Sequence, residues 1–187
     1  MHTNTEITKH FLKEWKRRGN NTIAEVRVLK AGGPFTTKGE ATLWKCLELT
    51  PKEFQDDFLQ FNHPANLDAE VDIRGFREYI VLDQKAGKVG GDEFHLQRQE
   101  IVFCTNGKVE WICEDLYGRK VSYILEPGCG LWIPPFVLHT FKAIRPTNDL
   151  AVICNTTYTQ EDTRTHDTFK KEVFQLLQSE IVEHVVN

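Results

Sequence analysis

Asn106 and Gly107 stand between two apolar runs, and this dipeptide constrains the fold more than any other short feature of the chain. Both central residues of a type I′ turn need a positive φ, which Asn and Gly adopt more readily than other residues. The flanking runs, Glu100–Thr105 and Lys108–Glu114, are therefore predicted to be two paired antiparallel strands.

Short alternating runs continue around this turn from Val71 to His139, separated by the turn sequences KAGK, NG, YGR and PGCG. Leu150–Asn155 adds a further strand. Regular short strands with such turns are typical of a β-sandwich or barrel. Because 187 residues suffice for one full core, we predict a single domain with a barrel over residues 71–155.

The first seventy residues combine helical and alternating patterns, and the last thirty have a helical pattern. We expect an N-terminal extension over residues 1–70 and a helical tail over residues 156–187. In the extension we predict a helix carrying Ile7, Phe11, Leu12 and Trp15, then a strand at Ile23–Leu29, a turn at 31–34 and a strand at Ala41–Leu49. A second helix is predicted to be capped by Thr50 and Glu53 and to break at Asn62-His63-Pro64. In the tail we predict a closing helix through Phe169, Val173, Leu176, Leu177 and Ile181.

Charge and cysteine content narrow the functional classes. A net charge of −4 with interspersed signs gives no reason to expect a nucleic-acid partner. No apolar run approaches the ~20 residues of a membrane span, and the N-terminal sequence lacks the apolar core of a secretion signal. The five cysteines are odd in number and form no CxxC pair, so we expect a protein of the reducing cytoplasm.

His95, Glu100 and His139 are the candidates for chemistry. Two imidazoles and one carboxylate on facing strands are the ligands of a facial-triad metal site with open positions for substrate. Glu93 is a fourth candidate ligand or a general base. The alternative is structural, with Glu100 a charge at a strand edge and the histidines hydrogen-bonded inside the barrel.

The spacing of these residues resembles the two motifs of the cupin superfamily. The first motif, a glycine, His-x-His, Glu and a second glycine, corresponds to Gly87, Glu93, His95, Glu100 and Gly107. The second corresponds to Gly128, Pro134 and His139. Glu93 stands where the first histidine belongs, and Phe136 where a glycine is usual. The resemblance implies an all-β, double-stranded β-helix, the cupin jelly roll, here with short N-terminal helices and a C-terminal helix.

Within that superfamily the chain resembles the sugar-nucleotide 3,4-ketoisomerases, which isomerise thymidine-diphospho-4-keto-6-deoxyglucose. Their Arg-x-Tyr strand leads without gaps into the histidine segment, as Arg77 and Tyr79 do here. The resemblance covers about Arg74–Phe169 and includes a tail with Tyr158, Asp162, Arg164, Asp167 and Phe169. It implies no metal cofactor, proton transfer by His95 with Glu93 as its partner, and substrate binding by Arg77 and Tyr79.

Two departures from that family bear on the chemistry. Glu93 replaces a histidine, and Glu100 stands where the family tends to have Gln. A 3,4-keto shift needs a base beside the carbonyl and an acid at the neighbouring carbon, and a histidine near its unperturbed pKa of about 6.5 serves as either. Glu93 serves as the base if the barrel raises its pKa. An ion pair with Arg77 or Arg98 is its structural alternative.

The same positions also resemble the ring-cleaving cupin dioxygenases of the 3-hydroxyanthranilate type. That resemblance implies that His95, Glu100 and His139 hold Fe(II) or another divalent transition metal, with Glu93 outside the ligand set. A non-catalytic ligand-binding cupin is a third interpretation, because the usual histidine pair is broken.

The aromatic residues of the strands favour core positions or a pocket wall. Trp132 and Phe136 flank Pro134-Pro135 and are predicted at the substrate-binding rim of the pocket. The leading prediction is therefore a small-molecule enzyme that acts as a homodimer.

Overall fold

The computed structural model describes residues 4–59 and 73–186, and the helices within them are α1 (Asn4–Arg17), α2 (Pro51–Glu53, continued by a π-helical segment, Phe54–Phe58) and α3 (Lys171–Val186). The strands are β1 (Arg27–Lys30), β2 (Gly32–Thr36), β3 (Thr42–Lys45), β4 (Arg74–Gln84), β5 (Val89–Phe94), β6 (Glu100–Asn106), β7 (Val109–Glu114), β8 (Lys120–Leu125), β9 (Cys129–Ile133), β10 (Leu138–Ala143), β11 (Asn148–Thr156) and β12 (Phe169–Lys170). Short 3-10 turns lie at Ile23–Glu25 and Thr163–Thr165. No helix among the described residues is long and apolar enough to cross a membrane.

Two five-stranded antiparallel sheets form the body of the fold. The first sheet has the strand order β1-β9-β6-β11-β4 and the second β12-β5-β10-β7-β8, while β2 and β3 form a separate hairpin. This confirms the predicted all-β jelly roll with helices at both ends. The predicted N-terminal extension and C-terminal tail are parts of the barrel as well, because β1 pairs with β9 and β12 pairs with β5.

Three apolar clusters hold the layers together. The first lies between the sheets and includes Val102, Leu131, Trp111, Cys113 and Phe141. The second packs helices α1 and α3 on the second sheet through Phe11, Trp15, Phe94, Phe136, Phe174 and Leu177. The third packs the N-terminal extension on the outer face of the first sheet through Phe58, Ile101, Phe103 and Trp132. Alternate residues of β6 thus enter opposite layers, as the two-residue period of a strand requires.

The predicted pairing of the strands around Asn106-Gly107 is wrong. β6 pairs with β9 and β11, whereas β7 pairs with β8 and β10, so the turn crosses from one sheet to the other. Gly107 has a φ of 82°, but Asn106 is not among the positive-φ residues that a type I′ turn requires. The buried Asn148 side chain stabilises the crossing instead, because its Oδ1 accepts from Lys108 N at 2.9 Å.

The N-terminal predictions are corrected in detail. The strand predicted at Ile23–Leu29 begins only at Arg27, because Thr22 and Glu25 form a capping box around a 3-10 turn. The turn predicted at 31–34 is largely the strand β2. The capping box of Thr50 and Glu53 is confirmed, with Thr50 Oγ1 accepting from Glu53 N at 3.2 Å. The predicted break at Asn62-His63-Pro64 lies outside the described residues.

Gly107→Ala is expected to destabilise the protein more than Gly87→Ala. Both glycines have left-handed φ values, 82° and 78°, which cost an L-residue about 1–2 kcal/mol. A Cβ at Gly107 lies 2.3 Å from Thr147 O, whereas one at Gly87 meets nothing within 4 Å. The clash adds roughly 1–3 kcal/mol for Gly107. Urea unfolding of both variants measures the difference, and equal losses would show that the turn relaxes to admit the methyl group.

Candidate active site

Three polar side chains converge between the two sheets. Glu100 begins β6 in the first sheet, His139 lies in β10 of the second, and His95 follows the end of β5. His139 Nε2 is 3.2 Å from Glu100 Oε2, and His95 Nε2 is 3.4 Å from Glu100 Oε1. Each residue is only 2% exposed. The structure therefore brings together the three residues that the sequence singled out.

The hydrogen bonds of the two imidazoles define which ring nitrogen faces the site. His95 Nδ1 is 2.5 Å from Asp167 O, and His139 Nδ1 is 3.1 Å from Val137 O. A carbonyl oxygen only accepts, so each Nδ1 carries a hydrogen and each Nε2 faces Glu100. His95 Nε2 has no hydrogen-bond partner among the described residues. This buried nitrogen therefore lies beside Glu100 without a hydrogen bond to it.

Glu100 is a buried carboxylate surrounded by donors. Arg98 Nη1 lies 3.1 Å and the Tyr79 hydroxyl 3.3 Å from its Oε1. Burial raises the pKa of a carboxyl, but the electrostatic interaction with His95 and the hydrogen bond from His139 outweigh burial and hold the pKa of Glu100 well below its ordinary value. Burial, reinforced by Glu100, raises the pKa of Tyr79, which therefore stays a protonated donor.

His139 is the cationic partner of this carboxylate. Burial lowers the pKa of an imidazole, but the hydrogen bond and the charge of Glu100 outweigh burial, so the pKa of His139 is raised. With a donor at each ring nitrogen, His139 forms an imidazolium between Val137 O and Glu100.

The stability of the protein is expected to depend on pH through this pair. The raised pKa of His139 gives stability that is fully present below its unfolded pKa of about 6.5 and is lost as pH rises through its folded pKa. The lowered pKa of Glu100 gives stability present above about 4.3 and lost as pH falls through its folded pKa. Urea unfolding across pH measures the loss of stability on the alkaline side and on the acidic side. His139→Gln should reduce the loss on the alkaline side, and an unchanged loss in this variant would contradict the pairing.

Asp167, in the tail, holds the loop that carries His95. Its carboxylate accepts from Leu96 N at 2.9 Å, Gln97 N at 2.8 Å and Arg98 N at 2.7 Å, while its own carbonyl accepts from His95 Nδ1. Asp167 is 4% exposed. The sequence placed it among the tail residues but did not predict this role, because its partners lie about seventy positions earlier in the chain.

Glu93 lies at the partly buried edge of the cluster. It stands opposite His139 in the pairing of β5 with β10 and opposite Lys170 in the pairing with β12. Arg98 bonds Glu100 rather than Glu93, so the predicted structural role of Glu93 as the partner of Arg98 is not observed. Glu93 is therefore placed beside His95 and His139 without being part of the Glu100 pair.

Arg77 and Tyr79 point inward from β4 and are partly buried. The Arg77 guanidinium carbon lies 5.7 Å from the ring centroid of Tyr79 and 5.3 Å from that of Tyr158. Tyr158 in turn stacks on His166 at 4.7 Å. A cation flanked by aromatic rings therefore lies where the tail meets the barrel.

Trp132 and Phe136 do not form the predicted rim. In β9, Leu131 and Ile133 face the core between the sheets, so Trp132 faces the outer side, where Arg27 lies 3.5 Å over its ring. Phe136 has a φ of 62° and is fully buried beside Phe94 in the cluster under the helices. Both side chains are core residues. The proline pair between them was therefore not a reliable indicator of a pocket rim.

The donors of the cluster fit a divalent transition metal. Among the described residues, the ligand atoms of Glu93, His95 and His139 lie within 4.8 Å of one another. Both histidines donate Nδ1–H to carbonyl oxygens, the bonding that orients metal-binding imidazoles. This group of ligand atoms contains Glu93 rather than Glu100, whereas the predicted set was His95, Glu100 and His139 with Glu93 as a fourth candidate ligand. A metal there would act as a Lewis acid, after the proton on His139 Nε2 is released.

Comparisons with known proteins give one consistent result. The family model described as FdtA, WxcM-like, C-terminal, matches residues 57–174. The chain is 27% identical over 100 residues to the TDP-4-oxo-6-deoxy-alpha-D-glucose-3,4-oxoisomerase of Aneurinibacillus thermoaerophilus, a match covering 52% of this chain and 70% of that protein.

Solved structures of similar fold include two ketoisomerases. QdtA, a sugar 3,4-ketoisomerase of Thermoanaerobacterium thermosaccharolyticum solved with TDP, superposes with a TM-score of 0.56 at 18% identity, over 85% of this chain and 96% of that chain. WlaRA, a TDP-fucose-3,4-ketoisomerase of Campylobacter jejuni, gives 0.55 at 21% identity, over 84% and 98%. At these identities the likeness establishes the jelly-roll fold.

Proposed function

Because this chain belongs to the FdtA, WxcM-like family, we propose that it is a sugar-nucleotide 3,4-ketoisomerase acting on a thymidine-diphospho-linked 4-keto-6-deoxy sugar. The observation that carries the proposal is the buried Nε2 of His95, which has no hydrogen-bond partner among the described residues and is held toward the site by the bond from Nδ1 to Asp167 O. The curated relative from Aneurinibacillus thermoaerophilus supports the substrate class.

The reaction moves a carbonyl from C4 to C3 of the sugar through proton transfers alone. A base takes the proton from C3, the C4 oxygen gains a proton, and an enediol forms. A proton then adds to C4 while the C3 hydroxyl loses its own, which leaves a ketone at C3. One residue that abstracts and one that returns a proton are sufficient, and no oxidant or reductant is consumed.

His95 and Glu93 are the two groups proposed for these transfers. In the neutral form of His95 the lone pair is at Nε2, since Nδ1–H is bound by Asp167 O. Glu93 lies across from it at the partly buried edge of the site, where the sugar can reach it. The anionic Glu100 and cationic His139 stay paired behind them and polarise the pocket.

Arg77 and Tyr79 are proposed as the residues that contact the sugar or its diphosphate. A guanidinium matches phosphate oxygens with two parallel donors, and Arg77 Nε is without a hydrogen-bond partner among the described residues. In this proposal Arg77→Ala weakens binding of the nucleotide sugar while the proton-transfer residues stay in place.

The test is incubation with thymidine-diphospho-4-keto-6-deoxyglucose in deuterated water. We expect a 3-keto product that carries deuterium at C4, seen by proton NMR as the loss of a ring signal. His10→Asn, at an exposed position of α1, serves as a control and should leave the rate unchanged. Absence of exchange, of product and of nucleotide-sugar binding would refute the isomerase. Binding without turnover would favour the non-catalytic cupin.

A metal enzyme is the second candidate, favoured by the convergence of His95 and His139 with Glu93, next to Glu100. In that proposal the protein holds Fe(II) or another divalent transition metal and is a dioxygenase of the 3-hydroxyanthranilate type. Elemental analysis of protein purified without chelator separates the candidates. Under the dioxygenase proposal Glu100→Gln abolishes metal and activity together, whereas isomerase activity in metal-free protein excludes this candidate.

We also propose that the protein is a cytoplasmic homodimer. All five cysteines are free thiols, as expected in a reducing compartment. The edge strand β4 exposes Phe76, Ile80 and Leu82, which are 56%, 60% and 66% exposed. A row of apolar side chains on a strand that is an edge among the described residues favours contact with a second copy. Light scattering should give twice the chain mass for the wild type and a monomer for Ile80→Lys.

A further inference from the structure

Arg18, directly after the end of α1, is a buried cation outside the catalytic cluster. The residue is 5% exposed, and its Nε and Nη2 have no hydrogen-bond partner in residues 4–59 and 73–186. Burial lowers its pKa, while the charges of Asp167 and Glu14 partly offset this effect. A guanidinium stays charged in proteins, and a buried charge without a bonded partner is costly. The Nε and Nη2 atoms of Arg18 would therefore be stabilised by a hydrogen-bond acceptor.

Arg18 borders a cavity of about 240 Å³ on the outer side of the first sheet, which we call the outer cavity. Its lining is formed by Arg18, Asn21, Arg27, Asp56, Asp57, Gln99, Pro134 and Pro135. Gln99 precedes Glu100 in the chain, and successive residues of an extended segment point to opposite faces. The outer cavity is therefore separated from the catalytic cluster by the sheet itself.

The other charged side chains around the outer cavity form ion pairs. Asp56 forms an ion pair with Lys52, and Asp57 Oδ2 lies 3.9 Å from Arg27 Nη1. Arg27 also stacks over Trp132. Arg18 forms no ion pair within 4.0 Å in the described part of the chain. Among the described residues, the cavity wall therefore carries one positive charge that forms no ion pair, although Asp167 and Glu14 act on it at longer range.

We propose that the outer cavity binds a small oxyanion, a phosphate or carboxylate group, with Arg18 as its main ligand. Nε and Nη2 lie on one edge of the planar guanidinium, and their parallel N–H groups match two oxygens of such a group. The half-exposed Arg27 adds a second positive charge at the cavity. The bound anion supplies the acceptors that Arg18 lacks. This inference does not rest on the isomerase activity.

Isothermal titration of the full-length protein with inorganic phosphate, and separately with acetate, in a Tris-chloride buffer tests the proposal. We expect binding of at least one probe, and the tighter probe identifies the phosphate or the carboxylate source. Arg18→Gln should weaken that binding by about tenfold or more, the loss expected for a hydrogen-bonded charge. Arg17→Gln is the matched control, since Arg17 pairs with Glu14 at 3.0 Å and does not border the cavity.

A third variant separates the outer cavity from the barrel. Arg77→Gln removes the cation proposed for the substrate diphosphate, and it should leave binding of the small anion unchanged. Loss of binding in Arg77→Gln but not in Arg18→Gln would place the anion in the barrel and overturn the proposal, as would the absence of binding to both probes. If Arg18→Gln does not fold, Arg27→Glu at the half-exposed position should weaken binding by charge repulsion, and unchanged affinity would again overturn it.

Discussion

His95→Asn is expected to lower kcat by at least the roughly 10²-fold typical of general acid–base catalysis while the protein stays folded. An asparagine amide still donates to Asp167 O, the acceptor 2.5 Å from His95 Nδ1, so the loop remains attached. The lone pair at the position of Nε2 is lost, and with it the proposed proton acceptor. The effect should therefore fall on kcat rather than on substrate binding.

The measurement is steady-state kinetics with the keto-sugar nucleotide, combined with titration of TDP to check binding. Thermal unfolding shows whether the variant is folded. A kcat within a few-fold of the wild type would exclude His95 as a proton-transfer residue. Weakened TDP binding with an unchanged kcat would instead make it a binding residue.

Glu100→Ala is expected to cause the largest loss of stability, about 3–5 kcal/mol, because breaking a buried ion pair leaves charge without a partner. Arg98 is 4% exposed and His139 2% exposed, and both depend on this carboxylate. Burial alone lowers the pKa of Arg98, but the charge of Glu100 outweighs burial, so the pKa of Arg98 is raised.

Glu126→Ala is the matched control for this loss. Its side chain is 54% exposed and pairs with Lys108 at 2.8 Å on the surface, where water and salt screen such pairs and they contribute little to stability. Urea unfolding at neutral pH compares the two variants. Similar losses for both would mean that solvent or a rearranged Arg98 compensates the buried charge.

The fold class and the central cluster could be predicted because local patterns specify them. Alternating runs and turn sequences predict short strands, and the Thr50 capping box is a purely local signal. The convergence of His95, Glu100 and His139 followed from their spacing together with the resemblance to a known fold. None of these predictions required knowledge of which strands pair.

The failed predictions depend on strand pairing and on the sheet face of each residue. The Asn106-Gly107 dipeptide predicts a turn but not which sheets the flanking strands join. That choice depends on the packing of the apolar core between the sheets. Trp132 was placed at the rim because of the neighbouring prolines, although alternation from Leu131 and Ile133 puts it on the outer face. Asp167 was missed as a clamp because its partners are distant in sequence.

Both sheets take strands from the two halves of the chain, and this has a consequence for synthesis on the ribosome. The loop of His95 is tied down by Asp167, and β5 gains its edge neighbour only from Phe169 and Lys170. A nascent chain that has already exposed the residues of the catalytic cluster therefore lacks the clamp until Asp167, Phe169 and Lys170 have also emerged. Contacts of this sequence separation form slowly, so we infer that activity appears only after these residues have left the ribosome and packed against the barrel.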